Sequence, residues 1–188
     1  MKRRDFNLLL LSSLGASLLA GCDDSSDSTD AGSSAGYQPL RLTQHERENL
    51  LLDVQRMAQI KAPYVWGGDT PEGFDCSGLI QWAYRQQGFG YFINRDRLKT
   101  EITAHNLYHQ NSIPVDSLAD LEQGDFIFFD ENGDGRITHN SVFDYQDEAG
   151  NIWVYDAYSV AGKVMHRIVA DFDSKGPLFA YACKAAKV

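Results

Sequence analysis

Among the residues of this chain of 188 that could carry chemistry, Cys76 has the most informative neighbours. It follows Gly73, Phe74 and Asp75 and precedes Ser77, Gly78, Leu79 and Ile80, with Tyr64-Val65-Trp66-Gly67-Gly68 a short way upstream. The paired glycines permit a tight turn and a close approach of a ligand to the backbone. Asp75, Cys76 and Ser77 fall at the start of an apolar-periodic stretch through Leu79, Ile80, Ala83 and Tyr84 that stops at Gly88, the pattern of a helix. A cysteine at a helix N-terminus faces unpaired N–H groups and the positive end of the macrodipole, a setting that favours the nucleophilic thiolate. Two readings stand at this point: an attacking sulfur, or a cysteine that only packs the helix start.

The remaining candidates are weaker. Cys183 lies in the apolar run from Leu178 and reads as a buried structural thiol. His105 and His109 are spaced i, i+4, but no Glu follows His105 to complete a metalloprotease helix, so the pair reads as a solvated or core pair. His45 belongs to the wet side of a first helical turn, and His166 to a strand surface. Asp130, Asn132 and Asp134, followed by Gly135, have the opening spacing of a calcium-binding loop, with the Arg136 carbonyl and Thr138 as further ligands. Position twelve is Ser141 instead of a bidentate Glu, and Asn-Gly and Asp-Gly are also common hairpin turns. No cofactor and no metal is therefore expected.

The elements that must hold these residues are legible from patterning. Thr43 and Glu46 form a capping box ahead of a helix with Leu50, Leu51, Val54, Met57 and Ala58 on one face. A second helix starts near Cys76, and a third is expected from about Leu98 to His109. Strands are predicted at 126–129, 137–145, 152–157, 163–168 and 178–184, rich in aromatic and β-branched residues and separated by Gly, Asn and Asp. Helices first and an antiparallel sheet afterwards make an α+β domain.

The two segments around Cys76, and later Leu118 to Phe129 with His139, closely resemble the NlpC-type cell-wall cysteine endopeptidases, over roughly Asn49 to Cys183. The resemblance implies a papain-like fold with Cys76 as nucleophile, His139 as the histidine and Asp156 as the third, orienting residue, where many relatives carry another histidine. A turn centred between Asp147 and Glu148 would set position 139 opposite 156, which agrees with that pairing. The resemblance further implies that Tyr64, Asp75 and Ser77 hold the free amino end of a peptidoglycan stem peptide, and that the γ-D-glutamyl to diaminopimelate bond is cut. Asp75 has the alternative role of capping the helix. Two departures stand out. Asn140 and Ser141 replace an apolar residue and a Gly beside the histidine, and the stretch Tyr91 to Asn111 is longer than typical. An amidase or acyl transferase using the same thiolate, and a catalytically silent wall-binding lipoprotein, are the competing functions.

The N-terminus reads as an address. A basic start with Lys2, Arg3 and Arg4 precedes an apolar run, Leu8 to Ala20, shorter than the ~20 residues that span a bilayer. Leu19-Ala20-Gly21-Cys22 resembles a lipobox, which makes 1–21 a signal peptide and Cys22 the lipidation site; Arg3-Arg4-Asp5-Phe6 resembles a twin-arginine export motif. Residues 22–38 then read as an acidic tether, spanning about 20–25 Å as a flexible coil, and 39–188 as one peptidase domain, expected as a monomer. Asp23 resembles an inner-membrane retention signal. The net charge of −9 makes nucleic acid and anionic lipid headgroups poor partners, so membrane attachment is expected through acyl chains on Cys22, in the cell envelope.

Overall fold

The computed structural model describes residues 36–169 and 176–188. The expected signal peptide, the expected lipidation site Cys22 and the expected tether as far as residue 35 lie outside the described residues. Strand β1 (Tyr37–Arg41) leads into helix α1 (Gln44–Gln59), which starts as its sequence dictates. The Thr43 hydroxyl accepts the Glu46 N–H while Glu46 takes the Thr43 N–H at 2.8 Å. A small ribbon, β2 (Asp69–Thr70) and β3 (Gly73–Phe74), delivers the chain to α2 (Cys76–Gln86). Hairpin β4 (Phe92–Asn94) and β5 (Arg97–Lys99) and helix α3 (Ala104–Asn111) follow. After them come β6 (Ser112–Val115), β7 (Phe126–Phe129), β8 (His139–Gln146), β9 (Ile152–Tyr158), β10 (Lys163–Ile168) and β11 (Leu178–Lys187).

Among the described residues one antiparallel sheet runs in the order β1-β11-β7-β8-β9-β10, with β6 also paired to β11. Its two faces carry separate apolar clusters. Phe126, Phe128, Val142, Val164, Ala180 and Ala182 pack with Leu50, Val54, Leu79, Ile80 and Tyr84 of the helices. Ile127, Phe129, Phe143, Val154 and Val169 form the other cluster, as the period-two alternation of strands requires. Tyr84 of α2 is 1 % exposed and donates its hydroxyl to the Cys183 carbonyl at 2.9 Å, which fixes the helix against the sheet. Helices packed on an antiparallel sheet are the α+β arrangement expected.

Three expectations on elements need correction. Tyr37 and Gln38, assigned to the tether, pair in β1 with Lys187 and Ala186. Leu98, assigned to the third helix, lies in β5. That helix begins only after Thr103, whose side chain accepts the Asn106 N–H, because Gln81 first pins Ile102 through both its N–H (3.0 Å) and its carbonyl (2.9 Å). The register of β8 on β9 also differs. Val142 pairs with Tyr155, which sets Asp156 level with Ser141, and an irregularity between Phe143 and Tyr145 takes up an extra residue.

Candidate active site

The turn before α2 is built by close backbone contact. Gly67 has φ +73, and its N–H is accepted by Asp75 Oδ2 at 2.9 Å. A Cβ on Gly78 would lie 2.0 Å from the Gly68 carbonyl oxygen, so only glycine lets the start of α2 sit on this turn. Asp75 is the N-cap: its Oδ1 accepts the Gly78 N–H at 2.7 Å and the Ser77 hydroxyl at 3.0 Å. Cys76 is thereby the first residue of the helix, where its N–H has no intrahelical acceptor.

Opposite it, β8 begins with His139. Asn140 donates its side-chain N–H to the Cys76 carbonyl at 2.9 Å and so ties the strand to the helix start. The Cys76 Sγ lies 4.0 Å from the Thr138 carbonyl and is half-buried. His139 stacks on Phe129, with ring centroids 5.4 Å apart, and its Nε2–H donates to Asp156 Oδ2 at 2.8 Å. That leaves Nδ1 for the sulfur. Although not directly opposite, 139 and 156 share a face of the sheet and meet on the diagonal, within reach of side chains this long.

Burial by itself would push the His139 ring down, but hydrogen bonds to Asp156 and Cys76 and their negative charge outweigh it and hold its pKa up at about 10. Burial likewise works to raise Asp156, and hydrogen bonds from His139 and Arg167 overcome it, holding the carboxyl below the usual range. At neutral pH the ring is therefore an imidazolium between two groups that bear negative charge when ionised. A thiolate and an imidazolium at the mouth of a cleft can carry out acyl transfer.

Tyr64, Asp75, Cys76, Ser77 and His139 all line one cleft of about 790 Å³. Asp156 stands behind His139 with a fully buried side chain. Burial, followed by the charges of Cys76, Asp75 and Glu131, pushes the Tyr64 hydroxyl up, so it remains a neutral donor. The long stretch after Tyr91 forms a wall of this cleft through Asn94, Lys99, Glu101 and Asn106. The 130–138 loop forms another, through Glu131, Asp134 and Arg136. Within that loop Asp130 accepts the N–H groups of Asp134 and Gly135 at 3.2 and 2.7 Å, and Asp134 accepts that of Arg136 at 2.8 Å, so the loop closes on itself. Among the described residues no three His, Cys, Asp or Glu side chains converge as a metal site.

The other candidates lie elsewhere. His45 bonds Asn49 at 3.2 Å on the surface. The His105 and His109 rings meet at a tilt with centroids 4.3 Å apart, and His105 Nδ1 accepts the Ile137 N–H at 3.3 Å. His166, read as a surface residue, is half-buried against the Tyr155 ring at 4.2 Å and sits 2.9 Å from Asp144. Cys183 is 1 % exposed and burial pushes its thiol up to about 12, as suits an inert packing residue. Sequence reasoning missed Arg167, since an Arg in a strand ordinarily faces water, and missed Asn140 as the tie to the helix.

The profile of the NlpC/P60 family matches residues 61–166, which contain the cysteine turn, the histidine strand and the aspartate strand together. The chain belongs to the NlpC/P60 family. The murein DD-endopeptidase MepH of Escherichia coli (strain K12) is 38% identical over 91 residues, 46% of this chain and 30% of that protein. The γ-DL-glutamyl hydrolase of Bacillus subtilis (strain 168) is 34% identical over 85 residues, 45% of this chain and 18% of its own. The matched region thus spans under a third of the curated relatives' length. A Staphylococcus aureus NLP/P60 family structure, described as similar to a lipoprotein, has a TM-score of 0.54 at 22% identity, covering 77% of this chain and 43% of that one. NlpC/P60 domains therefore share this papain-like α+β fold. Among the described residues no helix is long and apolar enough to cross a membrane.

Proposed function

We propose that this NlpC/P60 domain is a cysteine endopeptidase of peptidoglycan stem peptides. The observation that carries the reading is the buried His139 ring, bonded to Asp156 on one side and facing the sulfur of Cys76 at the head of α2 on the other. Cys76 attacks the scissile carbonyl carbon, and the oxyanion takes the Cys76 N–H at the positive end of the helix. The His139 imidazolium protonates the leaving amine as the tetrahedral intermediate collapses, leaving a thioester on Cys76. The neutral ring then removes a proton from water, hydroxide attacks the thioester, and the thiolate and imidazolium are restored. Asp156 keeps the ring in the tautomer that presents Nδ1 to the sulfur.

A relative named for murein DD-endopeptidase activity supports peptidoglycan as the substrate class, and one named γ-DL-glutamyl hydrolase supports a bond to a γ-glutamyl group. The bond we propose is γ-D-glutamyl to diaminopimelate, with Tyr64, Asp75 and Ser77 at the free amino end of the stem. Asp75 caps the helix and also lines the cleft where an ammonium would bind. Lipidation at Cys22 would hold the domain at a membrane in the envelope. An acyl transferase or amidase would use the same thiolate with another acceptor or acyl donor. Incubation of the full chain with purified muropeptides, followed by mass spectrometry of the products, tests the reading. Fragments split after γ-D-glutamate support it, and intact muropeptides reject it.

A further inference from the structure

Asp156 is the most heavily bonded carboxylate in the site, and its bonds reach well beyond His139. Its side chain is fully buried, and an ionised carboxylate taken out of water costs several kcal/mol unless it is paired and hydrogen-bonded. Oδ2 accepts from His139 at 2.8 Å, from the Ser141 hydroxyl at 2.8 Å and from Arg167 Nη2 at 2.6 Å. Arg167 Nε lies 3.1 Å from both Oδ1 and Oδ2. Arg167 pairs with Val154 across β9 and β10, so it reaches Asp156 on the diagonal and on the same face. Its guanidinium carbon lies 4.1 Å from the centroid of the Tyr158 ring, a cation–π contact that holds the fork flat.

The charges from the helix start inwards therefore alternate when the site is ionised: Cys76 negative, His139 positive, Asp156 negative, Arg167 positive. An isolated carboxylate turns freely about its last torsion, which is broad for Asp. A planar guanidinium that meets both oxygens stops that rotation, which a single ammonium cannot do. This also accounts for Ser141, one of the two departures beside the histidine. A buried acid at the orienting position needs a counter-charge and a further donor, and the chain supplies them as Arg167 and Ser141. Arg167 stands one residue beyond the family-matched segment and does not line the cleft.

We propose that Arg167 is a positioning residue of the Cys76–His139–Asp156 line, its fork locking the Asp156 carboxylate so that Oδ2 faces the His139 ring, with Ser141 as the second holder. The inference rests on the reading of those three residues as the catalytic line. Without the fork the carboxylate turns, the ring loses its fixed direction, and the imidazolium no longer stands beside the sulfur.

The test uses the full chain carrying Cys22→Ser, alone and with Arg167→Met or Arg167→Lys. Two readouts are taken: kcat and KM on muropeptides, and the rate of Cys76 alkylation by iodoacetamide from pH 5 to 10. Arg167→Met is expected to lose on the order of 10²-fold in kcat, the scale of a misplaced catalytic group, with KM unchanged. Arg167→Lys, which keeps the charge but not the fork, is expected to stay at least about tenfold below wild type. In both variants the acid limb of alkylation moves to higher pH, since a loosened imidazolium disfavours the thiolate, and in Arg167→Met the lost cation adds to the shift; packing loss alone would not move it. Wild-type kcat and an unmoved limb in the folded Met variant overturn the inference, and so does a Lys variant that matches wild type. If the Met variant does not fold, the Lys variant decides alone. Alkylation needs no peptide, so a shifted limb in a protein that cleaves no muropeptide would reject the endopeptidase reading and keep Arg167 in place.

Discussion

Replacing Asp156 with Asn changes one atom and forces a choice the site cannot make well. In the wild type Oδ2 accepts from His139, Ser141 and Arg167 while Oδ1 faces Arg167 Nε. An amide has one acceptor and one donor end. With its oxygen towards His139, its N–H groups face the guanidinium, and a buried Arg167 loses half its partner. With its N–H groups towards His139, the ring must accept through Nε2 and carry its proton on Nδ1, the wrong tautomer beside the sulfur. The loss of the tautomer in comparable triads costs about 10⁴-fold in kcat, so 10³ to 10⁴ is expected here, equivalent to roughly 4–5.5 kcal/mol. The pH profile carries a second signature. His139 is raised from the ordinary 6.5 to about 10, so its charged form, and the stability it confers, is fully present below 6.5 and lost as pH rises through about 10. Wild-type kcat should therefore persist through pH 8–9, whereas the variant's should fall between about pH 6 and 8 as the ring returns towards its ordinary value. Steady-state rates against pH, with circular dichroism melting as the control for folding, measure both. A folded Asp156→Asn protein with more than a tenth of wild-type kcat and an unmoved alkaline limb would refute the orienting role.

Three more expectations follow from particular contacts. Gly78→Ala places a Cβ 2.0 Å from the Gly68 carbonyl, so the head of α2 must shift. Melting should drop by the equivalent of about 1–3 kcal/mol with kcat down on the order of 10², against the stabilisation a helix gives Ala over Gly elsewhere; a raised Tm contradicts the packing argument. Asp125, wholly buried, has its carboxyl raised to about 6 by burial, in spite of the Ala182 N–H, Arg41 and Arg47. A raised acid favours the native state as pH falls from 6 towards 3.8, so wild type should gain about 2 kcal/mol over that window relative to Asp125→Asn, read from melting of both proteins at pH 4 to 7. An equal pH slope in the two excludes it. In a chain carrying Cys22→Ser, iodoacetamide should modify only Cys76 under native conditions and reach Cys183 after unfolding, because Cys183 is 1 % exposed with a thiol near 12. Native labelling of Cys183, found by peptide mapping, would show that the core is not closed.

The candidate site residues were legible because their signals are local. Thr43 and Glu46 announce α1, and the glycines ahead of Cys76 announce a turn that a Cβ would block. The fold class followed from periodicity, and the family resemblance led to His139 and Asp156. What escaped depends on partners distant in sequence. Leu98 carries a helical pattern yet lies in β5, since Asn111 clamps Ile93 from both sides and Arg95 turns the chain at φ +59. Tyr37 becomes a strand residue only because β11 offers it an edge. The irregularity beside Asp144 shifts the register without leaving a trace in the alternation of apolar residues, so 139 and 156 meet diagonally and not face to face. Arg167 has meaning only beside the acid it clamps.

The central claim is that the Cys76 sulfur forms a bond to the acyl group of a stem peptide. Acid quenching of the full chain during turnover of muropeptides, followed by proteolysis and mass spectrometry of the Cys76 peptide, tests it most directly. A peptidyl thioester on Cys76 that disappears at the end of turnover is expected, with neither adduct nor cleavage from Cys76→Ala. Cleavage products at wild-type rate from Cys76→Ala would contradict it.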